Sequence, residues 1–200
     1  MPSATDNKIK YGIKNVYYAV ATIAANGSAT YGAPVALKGA VSLSMEPQGD
    51  STPFYADNIV YYTSVANNGY EGDLELALIP DQFLTDILGM TKNSDNVIYE
   101  DAGADPVHFA LLFQFEGDQK ATRHVLYNCT ATRPSAAGNT KEDSIEPATE
   151  SITITATTIY VPTLDKDIPK AKTTIDTGST TYDGWFTTVY VPAGSTAATT

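Results

Sequence analysis

Along most of this chain, apolar and polar residues alternate in short runs with a period of two. In LKGAVSLSM, Leu37, Val41, Leu43 and Met45 share a face, with Lys38, Ser42 and Ser44 opposite. In YEGDLELALI, Leu74, Leu76 and Leu78 face one way, and Glu71, Asp73 and Glu75 face the other. This pattern predicts strands buried on one side, the second with an acidic outer face. In HFALLFQF, Phe109, Leu111, Phe113 and Phe115 align, but Leu112 opposite them is also apolar. That strand is expected to be covered on both sides. Strands are predicted at about residues 9–24, 36–46, 58–66, 70–79, 107–116, 121–131, 151–161 and 185–191, where Val, Ile, Thr and Tyr recur between Gly, Pro, Asn and Asp.

One stretch switches to a helical period. In IPDQFLTDILG, Phe83, Leu84, Ile87 and Leu88 form an apolar stripe, Pro80 and Asp81 suit a helix start, and Gly89 suits its end. A helix over about 80–89, packed on an open sheet face, is predicted. Residues 91–106 and 132–150 read as polar loops, and residues 162–184 as an extended linker. TTIYVP at 157–162 returns as TTVYVP at 187–192. Two readings are open: two strands that each end at a proline, or a last strand that pairs on a neighbouring subunit. The expected division is a β domain over 1–160 with an N-terminal arm, then an extended C-terminal arm over 161–200 with a last strand at 185–191. Trp185 and Phe186 are candidates to anchor that arm in a groove; a sugar-stacking platform is the other reading of Trp185.

Charge changes the picture. The net charge is -11, from 23 acids against 12 bases, which argues against a surface that holds nucleic acid by neutralising phosphates. The single cysteine, Cys129, lies in a strand-like run and reads as a small buried apolar residue. No run approaches the roughly 18 apolar residues of a membrane span, and the N-terminal residues carry no secretory pattern.

The chain carries no recognisable signature of catalysis: no GxSxG, HExxH, phosphate loop or GxGxxG. His108 and His124 lie at strand edges without an evident triad. Glu100, Asp101 and Asp105 cluster in EDAGAD, but a calcium loop needs more oxygens in a fixed order, and a solvated acidic turn is the simpler reading. No enzyme activity, metal or cofactor is expected.

Three stretches, in order, carry a resemblance: KYGIKNVYYAVAT; LKGAVSLSMEPQGDSTPFYADNIVYYTSVANNGYEGDLELALIPDQFLTDILG; and HFALLFQFEGDQKATRHVLYNCTATRP. Over roughly residues 8–160 the chain resembles the major tail protein, or tail tube protein, of long non-contractile-tailed bacteriophages of Gram-positive hosts. The resemblance implies a mainly β fold, a β-sandwich or split barrel with one flanking helix. It implies six-copy rings stacked into a tube through which DNA leaves the capsid. The partners implied are further copies and other tail proteins such as the tape measure and the terminator, with DNA passing unbound and no membrane. The place implied is the virion tail, assembled in the host cytoplasm. In that setting, Glu46, Gln48, Asp50, Phe54 and Tyr55, in the gap after the strand at 36–46, are candidates for a ring-stacking loop. Glu71, Asp73 and Glu75 are candidates to line the lumen; bulk solvent or a neighbour's lysine are the other settings for them. The alternative for the whole chain is an Ig-like or carbohydrate-binding module on a virion or cell surface.

Overall fold

The computed structural model describes residues 9–135, 148–176 and 179–193. The expected N-terminal arm before residue 9 and most of the loop at 132–150 lie outside them.

Fifteen strands are formed among the described residues: β1 (Tyr11–Ile23), β2 (Ala29–Tyr31), β3 (Val35–Ala36), β4 (Ala40–Gln48), β5 (Ser51–Ala56), β6 (Ile59–Val65), β7 (Gly69–Leu76), β8 (Thr91–Lys92), β9 (Ile98–Tyr99), β10 (Phe109–Glu116), β11 (Arg123–Ala131), β12 (Glu150–Thr157), β13 (Ile159–Val161), β14 (Lys166–Ile168) and β15 (Lys170–Thr173). Two short helices, α1 (Asp81–Asp86) and α2 (Ser179–Asp183), and a 3-10 turn at Gly184–Phe186 complete the described elements. The main sheet is antiparallel, in the order β2-β1-β10-β11-β12-β7-β4, with β3 also on β1 and β15 also on β11. β11 divides its partners: Arg123–Leu126 pair with β15, and Asn128–Ala131 pair with β12. That division splits the sheet, so the expected β-sandwich or split barrel with a flanking helix is the fold observed.

The strands at the middle of the sheet are apolar on both faces because both faces are covered. Phe109, Leu111 and Phe113 join a core with Leu74, Leu76, Ile152 and Ile154, capped by α1. Ala110, Leu112, Val125 and Tyr127 join a second core on the opposite face, closed by Ile159, Val161, Trp185 and Val189. In the first, Phe83 of α1 meets Tyr18 and Phe109 edge to face at centroid distances of 5.1 and 5.7 Å. The Tyr18 hydroxyl donates to Asp86 at 2.9 Å, tying α1 to β1. Cys129 is fully buried and its thiol is pushed up to about 12 by desolvation, which leaves it a packing residue and an unreactive one.

Several expectations are corrected. The helix is shorter than 80–89: Pro80 is its extended N-cap and Ile87 its C-cap, and Gly89 takes a left-handed φ of 70° beyond it. Val41 is 50% exposed because a bulge between Ala40 and Ser42 turns it out of the apolar row. Leu78 is 67% exposed because β7 ends at Leu76, before the chain bends toward α1. Residues 91–106 include the small β8–β9 hairpin. Residues 162–184 are no linker, since they contain β14, β15 and α2. Residues 185–191 form no strand: Gly184–Phe186 is a 3-10 turn, and the chain after it has irregular backbone. The two similar hexapeptides therefore differ in structure, since only the first supplies a strand, β13.

Candidate assembly surfaces

Two features of the surface are unusual for a subunit that stands alone, and a third region, the C-terminal segment, bears on how the chain ends are held. The first is the hairpin formed by β5 and β6. Asp57 and Asn58, with φ of 52° and 64°, make the tight two-residue turn that joins them. The aromatic gap expected after residue 46 is thus mostly strand. Phe54 lies opposite Tyr62, and Tyr55 opposite Val60, with a bulge between the pairs. Every residue of β6 is exposed, as is every residue of β5 except Ala56, which is half-buried. Phe54, Tyr55, Ile59, Tyr61, Tyr62 and Val65 are each more than 60% exposed. A two-stranded ribbon with apolar residues on both faces and no sheet beneath it is marginal in water. Sequence reasoning singled out Phe54 and Tyr55 but missed Tyr61 and Tyr62, because IVYYTSV reads as an ordinary half-buried strand.

The hairpin is a continuation of β4 and β7. The Ala66 N–H donates to the Asp50 carbonyl at 3.0 Å and the Asn68 N–H to the Gln48 carbonyl at 2.8 Å, so the ladder crosses the junction. Gly49 permits that crossing: its φ is 146°, and a Cβ there would lie 2.0 Å from the Ala66 carbonyl oxygen.

The second feature is the outer face of β4, β7 and β12. Glu71 lies beside Glu46 and Thr155, Asp73 beside Ser44 and Thr153, and Glu75 beside Ser42 and Ser151. The structure therefore divides the expected stacking-loop set. Glu46 and Gln48 belong to β4, Glu46 beside the acids, because β4 runs on to Gln48 before the junction; Asp50 lies at the junction, and Phe54 and Tyr55 on the hairpin. Ser42 donates to Glu75 at 2.9 Å and Thr153 to Asp73 at 2.7 Å, and Thr149 also donates to Glu75. Hydrogen bonds from Thr149 and Ser42 hold the Glu75 carboxyl below its usual range. No lysine or arginine occurs in these three strands. Glu46 and Glu71, directly opposite, repel one another, so this face is acidic at a cost to the isolated subunit.

The third region is the C-terminal segment. Trp185 is 1% exposed, its Nε1–H donates to the His124 carbonyl at 3.3 Å, and its ring stacks on Tyr190 at 5.5 Å. Phe186 stacks on Tyr17 at 5.0 Å, and the Tyr127 hydroxyl donates to the Tyr190 carbonyl at 2.8 Å. The segment lies on its own subunit's second core, and a buried Trp185 cannot be a sugar-stacking platform. We expect Trp185→Ala to lower stability by about 3–5 kcal/mol through the cavity it leaves. The check is chemical denaturation of the two proteins.

His124 and the acidic turn show no catalytic or metal geometry. The His124 ring stacks on Phe113 at 5.1 Å, and its pKa is pushed down to about 4 by desolvation and by Lys172, Lys10 and Lys170. A histidine kept neutral in the folded state must gain its proton on unfolding, so stability is lost as pH falls from about 6.5 toward 4. His124→Gln is expected to flatten the melting temperature over that window, by a few degrees; an unchanged pH profile would count against it. His108 Nδ1 lies 2.7 Å from the Asn128 side-chain oxygen. Glu100 pairs with Arg133 at 2.6 Å, and Asp101 accepts the Gly103 N–H at 2.9 Å, as in an ordinary Asx turn. Among the described residues, no cluster of His, Cys, Asp and Glu is arranged to hold a metal ion.

The chain is thus a split β fold with an exposed apolar hairpin and an acidic face whose three strands carry no lysine or arginine, and the class of protein it belongs to follows from comparison. The family model for phage tail tube proteins matches residues 2–193. The chain belongs to the phage tail tube protein family and is a structural component of the virion tail. Three solved structures are similar at the level of outline. The sheath/tube terminator of an extracellular contractile injection system, PVC, in its extended state is 11% identical, with a TM-score of 0.41, covering 78% of this chain and 93% of that one. The tube terminating cap of the anti-feeding prophage is 14% identical, with a TM-score of 0.42, covering 86% and 98%. The 6-fold symmetrised baseplate of the same particle is 9% identical over 86% and 99%, with a TM-score of 0.43. No curated protein matches the chain.

Proposed function

We propose that copies of this chain assemble into rings, six to a ring as the family resemblance implies, and that the rings stack into the tube through which DNA is ejected. The observation that carries this reading is the β5–β6 hairpin, an apolar ribbon that needs a second surface. Ring closure also supplies a partner for β4, which among the described residues pairs only with β7 and leaves an open edge. The cation-free acidic face of β4, β7 and β12 suits a lumen, because it offers phosphates nothing to hold. Assembly would take place in the host cytoplasm, with other tail proteins such as the tape measure and the terminator as partners. Catalysis has no part in this function. The test is negative-stain microscopy of the purified protein at rising concentration, which should show rings and stacked tubes. A strict monomer at every concentration would overturn the reading.

A further inference from the structure

The sheet divides along β11, and the division leaves a cleft. Arg123–Leu126 follow β15 while Asn128–Ala131 follow β12, so the strands on the two sides part from one another. An open space of about 340 Å³ remains between them. It falls within the roughly 300–1,000 Å³ of small-molecule sites. Leu43, Met45, Tyr70, Phe113, Phe115 and His124 line it. Leu43, Met45, Tyr70 and Phe115 pack on the first core on one side, yet they are only half-buried, because their other side opens into the cleft.

The lining is apolar and aromatic, but the mouth is basic. Lys170 Nζ sits 4.1 Å from the centre of the Tyr70 ring, and Lys10 Nζ sits 4.6 Å from that of Phe115. Among the described residues, neither lysine has a carboxylate within 4.0 Å. Lys172 lies beside His124 across the β11–β15 ladder and adds a third positive charge. The carboxylate that acts on His124 against these lysines is Asp118, whose oxygens already accept the Lys120 and Thr122 N–H groups at 2.9 Å. On a chain of net charge -11, cations gathered without a counter-ion call for an anion. A small hydrated anion would leave the apolar lining wet, and a neutral hydrocarbon would leave the ammonium groups unpaired. One molecule that carries both characters answers both faces of the site.

We infer that this cleft is a binding site for a small apolar carboxylate, its hydrocarbon body among Met45, Tyr70 and Phe115 and its carboxylate at the lysine rim. Such a ligand touches β4 and β7 on one side and β11 and β15 on the other, so it ties together the strands that the split separates. It binds the folded subunit alone and therefore stabilises it by mass action. The site belongs to a single subunit and does not depend on the assembly proposed above.

The experiment titrates the full chain with sodium octanoate and follows its two histidines by proton NMR. His124 lines the cleft, while His108, held on Asn128, does not and serves as the internal control. Octanoate should shift the His124 signal saturably, with a Kd at or below about 1 mM, and leave His108 in place. The bound carboxylate favours the protonated ring, so the His124 pKa should rise from about 4. The melting temperature should climb with octanoate concentration. Acetate lacks the hydrocarbon body and 1-octanol lacks the charge, and each should bind at least about tenfold more weakly. Lys10→Gln with Lys170→Gln should weaken octanoate binding at least about tenfold, with melting of the ligand-free protein unchanged because both lysines are exposed. The proposal is overturned by a His124 signal that does not saturate, by acetate or octanol binding as tightly as octanoate, or by full affinity in the lysine variant. Binding to free subunits that disappears once tubes form would give the cleft to a second copy and would also overturn it.

Discussion

Phe54→Ala combined with Tyr55→Ala is expected to leave a folded subunit that fails to build long tubes. Both side chains are more than 60% exposed in the isolated subunit, so their loss removes little from its own core. In an assembled tube each would bury most of its surface. Full burial of a large apolar side chain is worth about 1.5–3 kcal/mol, so the pair contributes about 3–6 kcal/mol to each hairpin contact. The concentration needed for assembly should therefore rise by a factor of at least about 100. The cross-strand pairs with Tyr62 and Val60 are also lost, a local effect of about 0.2–1 kcal/mol each that leaves the main sheet intact. Melting and circular dichroism should match the parent protein, while microscopy should show short stacks or free subunits. Long tubes from the double variant would remove the hairpin from the assembly contact.

The second large effect concerns the acidic face. Glu71→Lys, Asp73→Lys and Glu75→Lys together reverse three charges on every subunit, each change amounting to two units. In the proposed tube these side chains meet passing DNA, and a ring of lysines would hold phosphates that the native face repels. Ejection should slow or stall, and the delay should shrink as salt rises. The hydrogen bonds from Thr153, Ser42 and Thr149 are lost as well, each worth about 1 kcal/mol or less on an exposed face. Assembled tubes should thus be retained. A neutral variant, Glu71→Gln with Asp73→Asn and Glu75→Gln, separates the two effects, since it loses carboxylates without adding cations. Normal ejection kinetics from the charge-reversed phage would show that these acids do not line the channel.

The two surfaces are opposed in their chemistry, and the opposition has consequences for assembly. The acidic face has no positive side chain in its three strands, while Lys10, Lys170 and Lys172 gather around His124. A subunit polarised in this way favours head-to-tail contacts and disfavours like-to-like ones. The same lysines help keep His124 neutral, which ties the pH dependence of stability to the mouth of the cleft.

What the sequence determined by itself is what depends on near neighbours. The alternation of Leu74 and Leu76 with Glu71, Asp73 and Glu75 requires only the pleat of one strand, and it holds in the structure. The apolar residues on both sides of residues 109–113 predicted a doubly covered strand for the same reason, and two cores do cover it. The stripe of Phe83, Ile87 and Leu88 placed a helix, though a shorter one. The tertiary structure decided the rest. A bulge turned Val41 outward, and only its pairing with β7 shows where the extra residue falls. Ladder bonds across Gly49 made a loop into an extended hairpin, and placed Glu46 beside Glu71 instead of beside Phe54. Trp185 reads locally as the start of a strand. Its burial against a second core, with the chain irregular after it, depends on strands far from it in sequence. The basic cleft draws on Lys10, His124 and Lys170, which only the closing of β1 onto β10, β10 onto β11 and β11 onto β15 brings together. Periodicity is set by the backbone of a single segment, whereas a site made from distant segments exists only once the sheet has chosen its order.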